Sequence, residues 1–300
     1  FNLQAYPEAI DRFLSVVDEK TRQMAVFSPE EGSLVWEALT YVATAFRRLG
    51  GASAVSAYFK ENGPRRYEKD LYLMMGNHDM VEGKPERGIE TYQAFIEIHP
   101  LDPITPFFAS YVMEALKKQG DHIGAEAARA AMARDYGSSS AWYRENDEAA
   151  RERSRPLIKS ELHHLALSAH ARAQKHEKEE DYRAAALWYR QFLAEFPEDQ
   201  AVPDIQFLLG ETLMSLNAQA EAGEAFEAAA YGHRDAEKSP NRKAAYAAVI
   251  AYEQVKTSAG EERFVGLSLR FARVFPKDAQ APIVLFKVAE LLFEKEDFAE

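Results

Sequence analysis

Along this chain apolar and small residues recur at the three- and four-residue spacing of an α-helix, as in Tyr72, Met75 and Gly76 and again in Gln206, Leu209, Gly210 and Leu213. A longer pattern overlies that period. A small residue is followed twelve positions later by a second small residue, and four positions after that by a bulky one. It reads Gly76, Gly88, Tyr92; Ala173, Ala185, Tyr189; and Gly210, Ala222, Phe226, with weaker copies at Ala43, Val55, Phe59 and Met113, Ala125, Arg129. Two antiparallel helices joined by a short turn approach closely only where small residues meet at the crossing, and bulky residues then fill the wedge beside it. The first small position falls at 43, 76, 113, 173, 210, 248 and 289, in steps of 33, 37, 60, 37, 38 and 41. This period predicts an all-α solenoid of stacked antiparallel helix pairs with essentially no strand. The pairs are expected near 36–62, 69–100, 106–136, 158–197, 203–232 and 241–276.

Proline marks the joints. HPLDPITP (99–106), FPEDQAVP (196–203) and FPKDAQAP (275–282) each hold one proline that stops a helix and another, six residues on, suited to the first turn of the next. At these positions the chain resembles the tetratricopeptide repeat family. That family's W-x2-LG-x2-Y, A-x3-F-x2-A and P pattern stands here as YLMMG (72–76), GIETYQAF (88–95) and Pro100; as QFLLGETL (206–213) with AGEAFEAA (222–229); and as DYRAAALWYRQF (181–192) with Pro197. The resemblance covers nearly the whole chain. Its spaced prolines look more like the bacterial exported branch, including cell-division coordinators and barrel-assembly lipoproteins, than like eukaryotic chaperone adaptors. Tyr6, Ala9 and Phe13 have the spacing of a second helix, and Leu285, Val288, Ala289, Leu292 and Phe298 that of a first helix, so a stretch cut within repeats from a longer array is expected. Leu285, Leu292 and Phe293 would then form an uncovered apolar face that favours self-association through the C-terminal end.

The oversized step divides the chain into repeats over 1–136, a charged insertion or joint over 137–160, and repeats over 161–300. GSSS (137–140) reads as a loop in which Ser140 caps a helix beginning at Ala141. ENDEAARERSR (145–155) is charged nearly all round, which predicts an exposed helix interrupted at Pro156 and tolerance of a larger residue at Ala150. A longer first helix is expected from Leu157 to about Lys178. Two further helix starts are read at Ser28-Pro29-Glu30-Glu31, as a capping box, and at Ser239-Pro240.

Composition agrees with a folded helical protein. Roughly one residue in six is alanine, 47% are apolar and 28% charged. A net charge of −12 disfavours nucleic acid, whose binding rests on neutralising phosphates. The pairs Arg47-Arg48 and Arg65-Arg66 read as solvated helix ends. The absence of cysteine removes disulfides, thiol catalysis and cysteine-ligated zinc, and suits an envelope space. No apolar run approaches the roughly 20 residues of a membrane helix. Walker loops, dinucleotide-binding glycine fingerprints, serine nucleophile elbows and HExxH are absent too, so no catalytic residue, cofactor or metal is expected. His163 and His170 are seven apart on one helix, but neither has a partner at the four-residue spacing that chelates a metal, and both read as surface or inter-helix histidines. Asn77-His78-Asp79 is consecutive in a helix, so its side chains diverge.

A stack of helix pairs does present one wall of first helices. Residues just after the small position face that wall: Thr44, Asn77, Glu114, Gln174, Glu211 and Glu290. Tyr41, Leu73, Tyr111, His170, Phe207, Tyr246 and Phe286 lie two or three positions before it. The candidate groove is therefore Tyr41, Asn77, Tyr111, Glu114, His170, Gln174, Phe207, Glu211 and Tyr246. Mixed aromatics and carboxylates suit a ligand that pairs apolar or stacking groups with positive charge. The expectation is a non-catalytic scaffold holding an extended protein or peptide segment in a bacterial envelope complex, periplasmic or outer-membrane-associated. A glycan-associated helper of polysaccharide export is the alternative. Family members that grip a terminal carboxylate use a Lys/Asn/Arg cluster, and here Asn77 alone fits part of it, with Glu114 following.

Overall fold

The computed structural model describes residues 5–23, 29–233 and 240–294. Among them lie fifteen helices and no strand. They divide into two compact units, residues 1–158 and 159–300, with the boundary inside one helix. The first unit holds α1 (Tyr6–Gln23), α2 (Pro29–Leu49), α3 (Ala52–Asn62), α4 (Glu68–Val81), α5 (Pro85–Ile98), α6 (Thr105–Gln119), α7 (His122–Tyr136) and α8 (Ala141–Glu145), and receives the start of α9 (Glu148–His176). In the second follow α10 (Glu179–Glu195), α11 (Val202–Ser215), α12 (Gln219–Tyr231), α13 (Arg242–Glu253), α14 (Ser258–Val274) and α15 (Ala281–Glu294). The pairs α2/α3, α4/α5, α6/α7, α9/α10, α11/α12 and α13/α14 match the six expected from the sequence. This is a tetratricopeptide-like array.

The crossings work as the small-residue pattern requires. A methyl group added at Gly76 would sit 2.2 Å from the ring of Tyr92, and one at Gly210 would sit 2.5 Å from the ring of Phe226. Both are far inside van der Waals contact, so each aromatic rests directly on bare backbone. Ala173, Ala185, Ala222, Tyr189 and Tyr92 are all fully buried in the same way. Gly223 repeats the arrangement between successive pairs, its missing side chain replaced by the ring of Tyr252 at 2.4 Å.

The turns have a shared chemistry. Pro100, Pro197 and Pro276 are each followed two residues later by an aspartate. Asp102 accepts from the Ile104 backbone N–H (2.9 Å), Asp199 from Ala201 (2.9 Å) and Asp278 from Gln280 (2.8 Å). Each carboxylate closes its own turn, and Pro106 and Pro203 then stand in the first turn of the next helix. Elsewhere Asp121, Asn241 and Thr257 cap α7, α13 and α14 through their side chains. Ser28, Ser239 and Phe298 lie outside the described residues. Pro29 does open α2, but Pro240 precedes α13, which begins at Arg242 and is capped by Asn241 and not by the expected Ser239-Pro240 start.

Four further sequence expectations need correction. The segment 137–160 is not an exposed bridge. Ser140 does cap α8, accepting from Tyr143 N–H, but Trp142 is buried and donates its indole N–H to the Asp102 carbonyl (2.8 Å). Asn146 donates to the Leu101 carbonyl (3.0 Å), so the segment is fastened to the turn after α5. Ala150, Ser154 and Ile158, four apart, form a buried stripe hidden among charges. Second, α9 runs straight through Pro156. Pro156 and Glu152 are both exposed, so water can serve the carbonyl that proline leaves without a donor. Third, the buried stripe of α1 is Ile10, Leu14 and Val17, with Phe13 exposed; in α15 Ala281, Val284 and Val288 are buried, while Leu285 and Phe293 are exposed as expected of an uncovered face. Fourth, Arg47 is no solvated helix end. Its side chain is 10% exposed and bonds Asp79, itself 2% exposed, at 2.6 Å and Glu82 at 2.9 Å.

Two stability outcomes follow from this packing. Gly210→Ala pushes the Phe226 ring off the backbone and Ala150→Leu overfills the α9 stripe, each costing about 1–3 kcal/mol in urea melts. Arg47→Met leaves the Asp79 carboxylate buried without its cation and costs about 3 kcal/mol, whereas Glu82→Gln at the open end of the network costs far less. A ranking with Glu82→Gln worst would refute the buried-pair account.

Candidate functional site

In the first unit the first helices α2, α4 and α6 present Tyr41, Asn77, Tyr111 and Glu114. Tyr41 is 50% exposed, stacks on Phe13 of α1 at 5.4 Å and donates to Glu37 (3.3 Å). Asn77 stands one residue past the Gly76 crossing, which turns it outward. It accepts from the Tyr92 hydroxyl (2.7 Å), whose ring lies 5.5 Å from that of Tyr111. The exposed Asn77 and Tyr111 are thus connected through the buried ring of Tyr92. Glu114 is drawn toward Lys117 of its own helix (3.7 Å). His78 and Asp79 diverge from Asn77, one exposed and one buried.

The second unit gathers its set more tightly. His170 is buried in α9, and its Nδ1 lies 2.8 Å from the Tyr189 hydroxyl of α10. The Gln174 amide sits 3.1 Å from His170 Nε2. With that amide nitrogen donating, the neutral ring carries its proton on Nδ1 and donates it to the Tyr189 oxygen. Burial lowers the His170 pKa, and the nearby Glu211 charge opposes that shift in part. Tyr189 is held in its neutral form, first by burial and then by Glu211. The carboxylate of α11 therefore acts on the His170–Tyr189 pair from the neighbouring repeat.

Phe207 and Glu211 share one face of α11, four residues apart. Phe207 is propped by Phe226 at 5.2 Å, the same ring that rests on Gly210. Over the ring lies the ammonium group of Lys243 from α13, 4.2 Å from the ring centroid and 3.8 Å from the Glu211 carboxylate. Tyr246 stands apart from this cluster. It donates to Gln280 (2.9 Å), packs on Phe271 at 5.7 Å and has the Arg242 guanidinium 6.0 Å from its ring. Arg242 in turn pairs with Asp278 in the turn before α15 and holds that carboxyl down to about 2.

Reasoning from sequence missed Lys243 and the role of Tyr189 as the partner of His170. Lys243 lies five residues before its small position, outside the two registers that flagged the wall, so nothing in the spacing marks it. Among the described residues no group of three His, Asp or Glu side chains is placed to hold a metal, and no helix is long and apolar enough to cross a membrane. The histidine pair separates: His163 packs on Phe192 at 5.8 Å, away from the Tyr189 bond made by His170.

The buried imidazole makes stability pH-dependent with a definite sign. An unfolded histidine takes up its proton near pH 6.5, and folded His170 does so only at lower pH. Acid therefore favours the unfolded chain, and stability is lost as pH falls below about 6.5. Urea midpoints should drop more between pH 7.5 and 5 for the unaltered protein than for His170→Gln. Equal drops would show that His170 does not carry the effect.

No protein-family model matches the sequence, nor does any curated protein. Solved structures that match include an assembly chaperone of RpL4, Acl4, with 14% identity, 99% of this chain and 98% of that chain covered and a TM-score of 0.34. A tetratricopeptide repeat protein from Parabacteroides merdae matches at 12% identity over 95% of this chain and 99% of that chain, TM-score 0.27. The quorum sensor NprR of B. thuringiensis, in its apo form, matches at 14% identity over 97% and 83%, TM-score 0.23. The tetratricopeptide-like assignment rests on the crossings and turns of this chain itself, pair after pair.

Proposed function

We propose that the protein is a non-catalytic scaffold that holds an extended segment of a partner protein against its first helices. One observation carries this reading. Among the described residues the exposed aromatic rings Trp36, Tyr41, Tyr111, Phe286 and Phe293 stand on first helices, and Phe13 of α1, the exception, stacks on Tyr41. The second-helix rings Tyr92, Phe95, Tyr189, Phe192 and Phe271 are sealed in the core instead. Within each unit, aromatic side chains left open on the first helices, beside Asn77 and Glu114 in one and Gln174 and Glu211 in the other, have the composition of a recognition surface. The same proposal assigns the scaffold to a bacterial envelope complex. Its support there is the absence of cysteine and the spaced-proline likeness to exported repeat proteins.

Phe207 and Glu211 separate the two kinds of contribution. An aromatic anchor buried by a partner is worth about 2 kcal/mol, so Phe207→Ala should weaken binding at every ionic strength. A rim carboxylate steers association, so Glu211→Lys should hurt most at low salt. The measurement is capture of a partner from bacterial envelope extract, then titration of that partner with both variants. Capture that survives both changes but is lost on altering the charged residues of 145–155 would sink the proposal. Binding on a glycan array without protein capture would favour a polysaccharide instead.

A further inference from the structure

The second unit contains the same pair of side chains twice in one register. Phe207, Gly210 and Glu211 in α11 correspond to Phe286, Ala289 and Glu290 in α15: an aromatic three residues before the small position and a carboxylate one residue after it. At four residues apart on a helix, ring and carboxylate share a face. The α11 copy shows what this combination holds. Lys243 brings its ammonium group 4.2 Å from the Phe207 centroid and 3.8 Å from Glu211, satisfying a π-face and a negative charge together. Lys243 itself is 74% exposed. In the α15 copy no such cation is present among the described residues. Phe286 is 64% exposed and Glu290 is exposed, while Lys287 is turned away to Glu253 at 2.6 Å.

We propose that Phe286 with Glu290, and Phe207 with Glu211 once Lys243 withdraws, are cation subsites for lysine or arginine side chains of an extended basic partner segment. Lys243 occupies the α11 subsite as an internal substitute for such a side chain. The inference rests on the groove reading and adds the chemistry of the ligand to it. Charge supports the occupant: a chain with 48 acids against 36 bases attracts a basic segment. Local geometry supplies the selectivity that overall charge lacks, because a ring and a carboxylate on one face reward a cation stacked between them. A partner approaching the α11 subsite must displace Lys243, so that subsite is weaker than its α15 counterpart until the lysine moves.

The test uses the whole chain and a fluorescein-labelled decapeptide of alternating alanine and lysine, with alternating alanine and glutamate as the opposite-charge probe, read by fluorescence anisotropy. The lysine peptide should bind and the glutamate peptide should not. Phe286→Leu, which leaves every charge in place, and Glu290→Gln should each weaken binding about 3-fold. Lys243→Met should strengthen it by a similar factor. Glu262→Gln and Lys277→Met, matched in charge but outside the subsites, should change it far less. Unaltered binding in Phe286→Leu, or controls that move as much as the subsite variants, would overturn the proposal, since binding would then follow net charge alone. A dimer in sedimentation that Phe286→Leu abolishes would overturn it too, by giving α15 a second copy as its occupant. Partner capture still lost in Phe207→Ala while peptide binding ignores Phe286→Leu would remove the cation subsites and leave the groove reading standing.

Discussion

A ring lying on bare backbone is the contact from which the rest of this structure derives. Where Tyr92 meets Gly76 and Phe226 meets Gly210, the helices come close enough for an aromatic ring to occupy the space a side chain would need. That contact sets the distance between the two helices of a pair and thereby fixes which residues turn outward. The position after the small residue turns outward in α4, α9 and α11, as Asn77, Gln174 and Glu211, whereas Val249 after Ala248 is buried. Close packing at the crossings also makes the array sensitive to single methyl groups there and indifferent to many changes on the outer turns.

Polar bonds between neighbouring helices make a second level of order. Arg47 joins α2 to α4 through Asp79, His170 joins α9 to α10 through Tyr189, and Lys243 joins α13 to α11 through Phe207 and Glu211. They differ in how firmly they are held. The Arg47–Asp79 pair is enclosed, and removing either charge strands the other. His170 is enclosed but neutral, so its bond to Tyr189 depends on pH. Lys243 is mostly in water and gives up little when it leaves. Rigid connection and exchangeable contact thus occur within one architecture, at positions separated by burial rather than by residue type.

The helix pairs were legible in the sequence because their cause is local. A glycine twelve residues from another small residue, with a bulky side chain four later, is a pattern that a single repeat must satisfy within itself. Partners from distant parts of the chain leave no such trace. Arg47 reads as a surface cation because Asp79 lies 32 residues away, and Arg47-Arg48 looks the same whichever member is buried. Trp142 and Asn146 were hidden for the same reason, their acceptors being carbonyls some 40 residues earlier. The stripe of Ala150, Ser154 and Ile158 escaped notice because two of its three members are small, and charge on the remaining faces dominates any average along the helix. Of the groove residues, the register placed Glu211, Gln174 and Asn77 beside the crossings. It carried no information about the lysine that covers Phe207, since that contact is between repeats.

The aspartate two residues beyond each joint proline closes its turn with a backbone bond spanning only that turn. Asp102, Asp199 and Asp278 therefore specify where one pair ends and the next begins without reference to anything farther along the chain. A boundary written so locally can be copied together with the pair that precedes it. Duplication or loss of a whole pair would carry a complete joint with it, whereas a cut elsewhere would divide a turn from its own carboxylate. Such a chain changes length most readily in whole repeats, and its history of growth is expected to be one of units rather than of residues.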